Sequence, residues 1–545
     1  MNLLKHATWL LIVALASGCA NLSTPESGKD KAYRITIMHT NDHHGRFWKN
    51  ELGEYGMAAR KTIVDRIRKE VAEQGGHTLL LDGGDINTGV PESDMQHAIP
   101  DFVGMNLLGY QAMAVGNHEF DKPLSVLKMQ QQLIKFPMLS ANIYRNGQRM
   151  FRPYEIFSLG DVRVGVLGLS TEDTAKLVNP DRIKGIEFRN PQSEAASLLP
   201  ELRNQADIVI AISHMGHYEN GDHGTLAPGD VEMARSVKGI DLIIGGHSQN
   251  PACMKAENVR NNDYVPGTAC QPDRQNGTWI VQAHEWGKYV GRADFEYRKG
   301  TLKLVNYALI PVNLKKPVTA ANGKIGYRPY TEEIPEDPDM LALLKPFQAF
   351  GQQQLDNTIG STDAAIAGGR DIVRSRPAAM GKLLGRAMLK KTGADFAMIN
   401  GGGIRDSLKA GKITRKDVLK VLPFGSTLVT VKLTGREVMD YLDAAAKMTP
   451  GSGGFPQFAG IELAIRSGKV ESARIKGAPV EPGKTYRLVL NSFQASGADQ
   501  YPALSGHRHY ADTGLVDADV LSEFIAARSP LKASDYAPAG EIIRH

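Results

Sequence analysis

Three cysteines in 545 residues are too few for a disulfide-built scaffold, and the odd number leaves at least one outside any pair. Charge of one sign is equally scarce. Against 59 acidic residues stand 64 basic ones, and the formal excess of +5 is too small over this length to mark a nucleic-acid binder. After residue 20 no apolar run is long enough to cross a bilayer as a helix, and no internal repeat recurs, which excludes solenoid and propeller arrays. What remains is ordinary globular composition. Hydrophobic residues make up 42% and charged residues 23%, which excludes wholesale disorder. At roughly 100–200 residues per domain, the length favours two to four domains. The 56 glycines follow no period and point to tight turns and backbone-lined sites.

The odd cysteine has a context. Lys5 precedes a short apolar run, Trp9 to Ala16, and then Ser17-Gly18-Cys19. A basic start, a brief apolar stretch and small residues read as a secretory signal over residues 1–18, too short for a membrane span. Small residues just before a cysteine also resemble a bacterial lipobox, with Ala16 where leucine is usual and Leu15 one position further back. The expectation is lipidation at Cys19, a polar tether over 19–32, and a protein exported and lipid-anchored to the cell envelope. Ala20 in place of Asp favours the outer membrane of a Gram-negative cell, with the catalytic domains in the periplasm or at the surface. Export would put Cys253 and Cys270 in an oxidising compartment. They stand 17 apart among Pro251, Pro266 and Gly267, and a bridge closing that loop would contribute about 3 kcal/mol.

From residue 33 the chain alternates short apolar runs with amphipathic stretches. Tyr33–His39, Thr78–Asp82, Ala112–Val115, Val162–Leu169, Ile208–Ser213, Leu242–Ile244 and Trp279–Ala283 read as strands, several apolar enough to be buried on both faces. Met57–Gln74 and Pro191–Gln205 have helical spacing. This is an α/β layered domain with more than one sheet. A loop-rich segment follows, with Lys315, Lys316, Pro317, Asn322, Gly323 and Pro329, and then a helix over Met340–Leu355. Beyond it begins a second α/β region with glycine-rich turns. The divisions are 33–336 for the first domain, 337–356 for a linker helix and 357–545 for the second domain.

The polar residues concentrate at strand ends. Five strands run into Thr40-Asn41-Asp42-His43-His44, Asp82-Gly83-Gly84-Asp85, Gly116-Asn117-His118-Glu119-Phe120-Asp121, Ser213-His214 and Gly245-Gly246-His247-Ser248-Gln249. That is the edge where open α/β sheets bind ligands. Carboxylates with imidazoles suit divalent Zn, Mn, Fe or Co, and two ions a few ångströms apart need a shared carboxylate. Asp85, flanked by glycines, is the natural bridge. One histidine at a strand end is more often packed or solvated. Five such ends in one chain are another matter.

In this order the blocks resemble the dinuclear metallophosphoesterase superfamily. The resemblance implies two divalent ions, with Zn, Mn, Mg and Co all open. One would be held by Asp42, His44, Asp85 and Gln249, and the other by Asp85, Asn117, His214 and His247. His118 would sit beside the phosphoryl group, with Asp121 hydrogen-bonded to its ring. His43, His217 and His284 have no place in the pattern and are expected to be solvated or to stand behind the ligands. Glu119 is expected to support its loop rather than act as a base.

The second region offers a phosphate-like set instead. Arg370 and Arg374 stand four apart, and Arg405 follows the turn Gly401-Gly402-Gly403. Arginine matches phosphate oxygens with a two-pronged donor set. With Pro423-Phe424-Gly425, Gly453, Pro456-Gln457-Phe458 and Asn491 to Asp499, this set resembles the C-terminal domain of the 5′-nucleotidases. From about residue 33 to the end, the chain looks like the bacterial periplasmic 5′-nucleotidase / UDP-sugar hydrolase group. That resemblance implies a nucleobase between Phe424 and Phe493, ribose at Asp499, phosphates at Arg370, Arg374 and Arg405, and room at Gly453. Two positions depart from the usual pattern: Ser426 stands where many members have Asn, and Gln500 where Gly is common, so substrate preference is open.

The expected activity is metal-assisted hydrolysis of small-molecule nucleotides, by a monomer. The alternatives are a 2′,3′-cyclic-nucleotide phosphodiesterase / 3′-nucleotidase, which would share the metal blocks, and a non-catalytic surface nucleotide-binding lipoprotein. The second would show broken metal ligands, and none is broken here.

Overall fold

The computed structural model describes residues 31–178, 182–218, 227–319 and 325–544. The expected signal, Cys19 and most of the tether lie outside them. Among the described residues no helix is long and apolar enough to cross a membrane.

The first half is built on two six-stranded sheets packed face to face. In one, the order is Thr301–Pro311, Tyr289–Arg298, Tyr33–Thr40, His77–Asp82, Ala112–Ala114 and Met138–Leu139. In the other it is Asp273–Gln275, Thr278–Val281, Leu242–Ile244, Ile208–His214, Val162–Ser170 and Tyr154–Leu159. The central strands of each are parallel, with Thr40 level with Asp82 in one and His214 level with Ser170 in the other. Parallel strands leave a sheet at a common edge, so consecutive strand ends deliver their polar residues to one place.

Burial explains why these segments are strands. Ile35, Ile37, Leu79, Leu81, Ile208, Ile210, Ile212 and Val164 form the core between the sheets. The outer faces are covered in turn. Met57–Glu73 and Ile99–Leu108 pack Ile63, Val64, Ile67 and Phe102 against one sheet, and Pro191–Gln205 packs Leu199 and Leu202 against the other. Strands sealed on both faces have no polar alternation to show.

The segment read as loop-rich is in part a hairpin. Lys315–Thr319 pairs antiparallel with Ile325–Pro329, with Lys315 opposite Pro329 and Pro317 opposite Tyr327. The prolines masked it, but a two-stranded ribbon tolerates residues without an N–H on its open sides.

The connecting helix runs from Pro338 to Leu355, capped by Asp337, whose Oδ1 accepts Met340 N–H at 2.8 Å. Met340 and Leu344 are buried in the first half's core, so this helix is anchored there. The second half holds a five-stranded mixed sheet ordered Pro456–Ala459, Phe396–Asn400, Thr485–Asn491, Thr427–Thr434, Tyr510–Val516. Helices Ala379–Thr392 and Asp517–Arg528 cover one face, and Gly435–Ala446 with a four-stranded sheet covers the other.

Candidate active site

The five strand ends converge. His44, Asp85 and His118 each offer a ligand atom within 4.8 Å of the others, and so do Asp85, His214 and His247. Asp85 is common to both groups. His214 Nε2 stands 2.9 Å from Asp85 Oδ2, and His44 Nε2 is 3.9 Å from both Asp42 Oδ1 and Asp85 Oδ2. Gln249 Nε2 donates to His44 Nε2 at 2.7 Å, and His247 Nδ1 donates to Asn117 Oδ1 at 3.0 Å. All seven residues expected as ligands therefore meet in two adjoining clusters about one carboxylate.

The backbone is bent to bring them there. Asp42, His44, Asp85, His247 and Gln249 all have positive φ, between 50° and 70°. Non-glycine residues held in that region cluster at functional sites, where the surroundings over-determine them. Glycine is required where the approach is tightest: a Cβ on Gly116 would fall 2.1 Å from Asp85 Oδ1.

Three observations fit divalent cations. The Nδ1 atoms of His44 and His214 face the carbonyl oxygens of Thr88 (2.8 Å) and Gly83 (2.7 Å). Carbonyls only accept, so both Nδ1 atoms carry a proton, and it is the Nε2 atoms that face the cluster and would give their lone pairs to a cation. Buried His214 Nε2 faces the Asp85 carboxylate at 2.9 Å, the group common to both clusters. Burial pushes the Asp42 carboxyl up, against the pull of His214, while Asp85, equally buried, is drawn down by the charges of His214, His118 and His44. A carboxylate and imidazole set of this kind is one that cations neutralise.

By distance His118 is itself a member of the first cluster, although the expected ligand set does not include it. Its Nδ1 donates to Asp121 Oδ2 at 2.6 Å, and Thr88 Oγ1 donates to the same oxygen at 2.7 Å. Burial alone would push the ring down, but Asp121 and Asp85 outweigh it and hold the pKa at about 9. Glu119 supports the loop as expected, accepting N–H groups from Asp85, Ile86 and Gly116. Of the three histidines outside the pattern, two stand behind the clusters and one is partly exposed. His43 and His217 are buried, each donating from Nε2 to a buried carboxylate, Asp101 or Asp273, at 2.8 Å. His284 is half-buried and stacks on Tyr289.

A cleft of about 500 Å³ runs from this cluster into the second half. Asp85, Asn117, His118, His247 and Gln249 line one end, and Arg370, Arg374, Arg405, Phe424, Ser426, Gly453, Phe493 and Asp499 the other. Arg370 Nη1 donates to Gln249 Oε1 at 3.1 Å across the two halves. Burial and mutual repulsion bring Arg374 down to about 9 and Arg405 to about 10, and Arg374 Nε has no partner. Crowded, under-satisfied guanidinium groups suit an anion. The Phe424 ring lies parallel to His118 at 6.0 Å between centroids, with Arg405 5.6 Å from its own centre. Asp499 accepts from Asn400 Nδ2 at 2.7 Å, and burial raises its pKa.

Gln500, one of the two positions that depart from the usual pattern, lies away from the cleft. Its side chain is exposed and absent from the cleft wall, because Asp499 and Gln500 both turn through positive φ. Leu177, Arg182, Tyr218 and Asn250, which belong to no motif in the sequence, also line the cleft, as does Asn400 at the head of the Gly401-Gly402-Gly403 turn. Of these only Asn400 carries a signal, since it ends an apolar strand as residues of the two clusters do.

Fold and site together define a metallophosphoesterase domain joined to a nucleotide-recognition domain. Residues 35–251 match the family model of calcineurin-like phosphoesterases, and 358–506 that of the 5′-nucleotidase C-terminal domain. The chain belongs to the 5′-nucleotidase family. It is 56% identical over 520 residues to the protein UshA of Escherichia coli, covering 94% of each chain. To the 5′-nucleotidase of Vibrio cholerae it is 50% identical over 547 residues, covering 99% of each. Among solved structures, a 5′-nucleotidase precursor from Thermus thermophilus aligns with a TM-score of 0.74 at 28% identity, covering 94% of this chain and 99% of that one. The protein is a hydrolase that acts on nucleotides.

Proposed function

We propose that the protein is a metal-dependent 5′-nucleotidase that also cleaves UDP-sugars. The observation that carries this reading is the single cleft joining the Asp85-centred cluster to three arginines and two phenylalanines on the other domain. Asp42, His44, Asp85 and Gln249 would hold one cation, and Asp85, Asn117, His214 and His247 the second. When bound, two such ions supply Lewis-acid charge to the phosphoryl oxygens and lower the pKa of water.

The chain's own residues do the rest. Arg370, Arg374 and Arg405 fix the phosphate groups, and Phe424 and Phe493 stack on the base, a contact every base can make. Asp499 accepts from the ribose. Asp121 holds the proton of His118 on Nδ1 and so aims Nε2 at the reacting group, where its hydrogen bond stabilises gathering negative charge. Water oxygen bonds to phosphorus as the bond to the leaving oxygen breaks, and that oxygen takes up a proton. A 5′-mononucleotide yields nucleoside and phosphate; a UDP-sugar yields UMP and sugar phosphate.

The exported, lipid-anchored placement is part of the same reading. It is supported by the apolar run before Cys19 and by the Cys253–Cys270 disulfide, with Cα atoms 4.9 Å apart. Both cleft walls come from one chain, which supports a monomer.

Formation of adenosine from AMP, of UMP from UDP-glucose and of the ring-opened monophosphate from 2′,3′-cyclic AMP, followed by chromatography in parallel after chelation and metal add-back, tests the function. AMP and UDP-glucose should be cleaved only after add-back. Full activity in the chelator, or turnover of the cyclic substrate alone, would overturn the proposal.

A further inference from the structure

Gln282 is fully buried just beyond the strand Thr278–Val281 and is not part of the cleft wall. Its side-chain amide reaches three points of the loop that follows the neighbouring strand Leu242–Ile244. Nε2 donates to Gly246 O at 2.7 Å, while Oε1 accepts from Ser248 Oγ and from Asn250 N, each at 2.9 Å. Between those three points stand His247 and Gln249, with φ of 70° and 55°.

The Gln282 amide ties three residues at once, alongside His247 N–H to Asp42 Oδ2 (2.9 Å) and Ser248 N–H to Gly246 O (2.8 Å), in shaping this loop. The loop lies outside the sheet ladders, and left-handed backbone at two non-glycine residues persists only where surrounding bonds over-determine it. One planar amide supplies a donor and an acceptor on adjacent atoms, which neither an ionised carboxylate nor an apolar side chain can do. Ser248 Oγ also accepts His217 N–H at 3.1 Å, which ties the loop to the buried His217–Asp273 pair.

We infer that Gln282 is the positioning residue for the metal ligands His247 and Gln249, setting cation affinity without touching cation or substrate. The inference rests on the reading of the cluster as a metal site. Groups standing behind metal ligands change affinity by roughly 10–100-fold when removed.

The test is a titration of the metal-stripped full chain with Mn²⁺ alone, by calorimetry, for wild type, Gln282→Glu, Gln282→Leu and Ser248→Ala. Gln282→Glu keeps the shape but turns an acceptor toward Gly246 O. Affinity should fall about 10–100-fold in both Gln282 variants and less in Ser248→Ala. AMP turnover of the Gln282 variants should recover at saturating Mn²⁺. Should Gln282→Leu fail to fold, the isosteric variant and Ser248→Ala carry the test. A folded Gln282 variant with wild-type Mn²⁺ affinity overturns the inference, including the case where only the melting temperature of the stripped protein falls. No Mn²⁺ binding by wild type would remove the metal reading and this inference with it.

Discussion

Asp121 acts through the imidazole three residues before it. Its carboxylate accepts from His118 Nδ1 and from Thr88 Oγ1, so both the ring's orientation and its proton depend on it. Asp121→Asn keeps the shape but removes the charge. We expect kcat for AMP to fall on the order of 10²-fold, the lower end of what a positioned proton carrier contributes. Mn²⁺ affinity should stay at the wild-type value, because Asp121 is outside both ligand sets. A parallel loss of affinity would show that the residue shapes the cluster instead. Residues of this kind are legible in a sequence, since the chemistry demands particular types at particular strand ends. Gln282 and Asn41 are not. Asn41 accepts Ala283 N–H at 2.7 Å, from a residue more than two hundred positions away, and such amide pairings exist only once the sheets have packed.

Elements were legible where burial dictates them. Leu242–Ile244 and Pro191–Gln205 form with the bounds their apolar pattern suggests, and the other core strands differ by a residue or two at their ends. The short strands around the disulfide were not legible, because polar contacts fix them. Asp273 opens the strand Asp273–Gln275, three residues after Cys270. It accepts from His217 Nε2 at 2.8 Å and from the N–H groups of Asn258 and Arg274 at 2.9 Å each. Burial pushes this carboxyl up, but the His217 bond and the backbone donors outweigh it and hold it below the ordinary aspartate value. A depressed acid contributes stability that is present above its unfolded pKa and lost as pH falls through the folded one. Asp273→Asn should therefore destabilise the protein by about 2 kcal/mol at pH 7, the loss of a buried hydrogen bond to a charged group. In urea unfolding the gap to wild type should close as the pH is lowered into the acid range. A gap that does not change with pH would contradict the role given to the charge.

At the scale of the molecule, the proposed function puts chemistry and recognition on different halves, and the cleft is lined by residues of both. The anchored helix Pro338–Leu355 fixes the first half's side of that junction. Arg370 meets Gln249 across the cleft, and away from it the buried Glu92 pairs with Lys416 of the other half. This division predicts how substitutions combine. Phe493 lines the cleft wall, so Phe493→Ala should raise KM for AMP by the loss of one stacking face, about 1–3 kcal/mol. Combined with Asp121→Asn, its effect on kcat/KM should add to within about 0.5 kcal/mol, as for independent sites. Phe424 should behave differently. Its ring lies parallel to His118 at 6.0 Å, so it bridges the recognising half and the imidazole that Asp121 holds. The double variant of Phe424→Ala with Asp121→Asn should depart from additivity by about 0.5 kcal/mol or more. Hydrolysis of ribose 5-phosphate, which has no base to stack, separates the two rings further. Phe493→Ala should leave its turnover near wild type, whereas Phe424→Ala should lower it, because the loss then falls on His118. Equal behaviour of the two phenylalanines in both measurements would mean that the stack on His118 has no part in turnover, and that Phe424 serves the base alone.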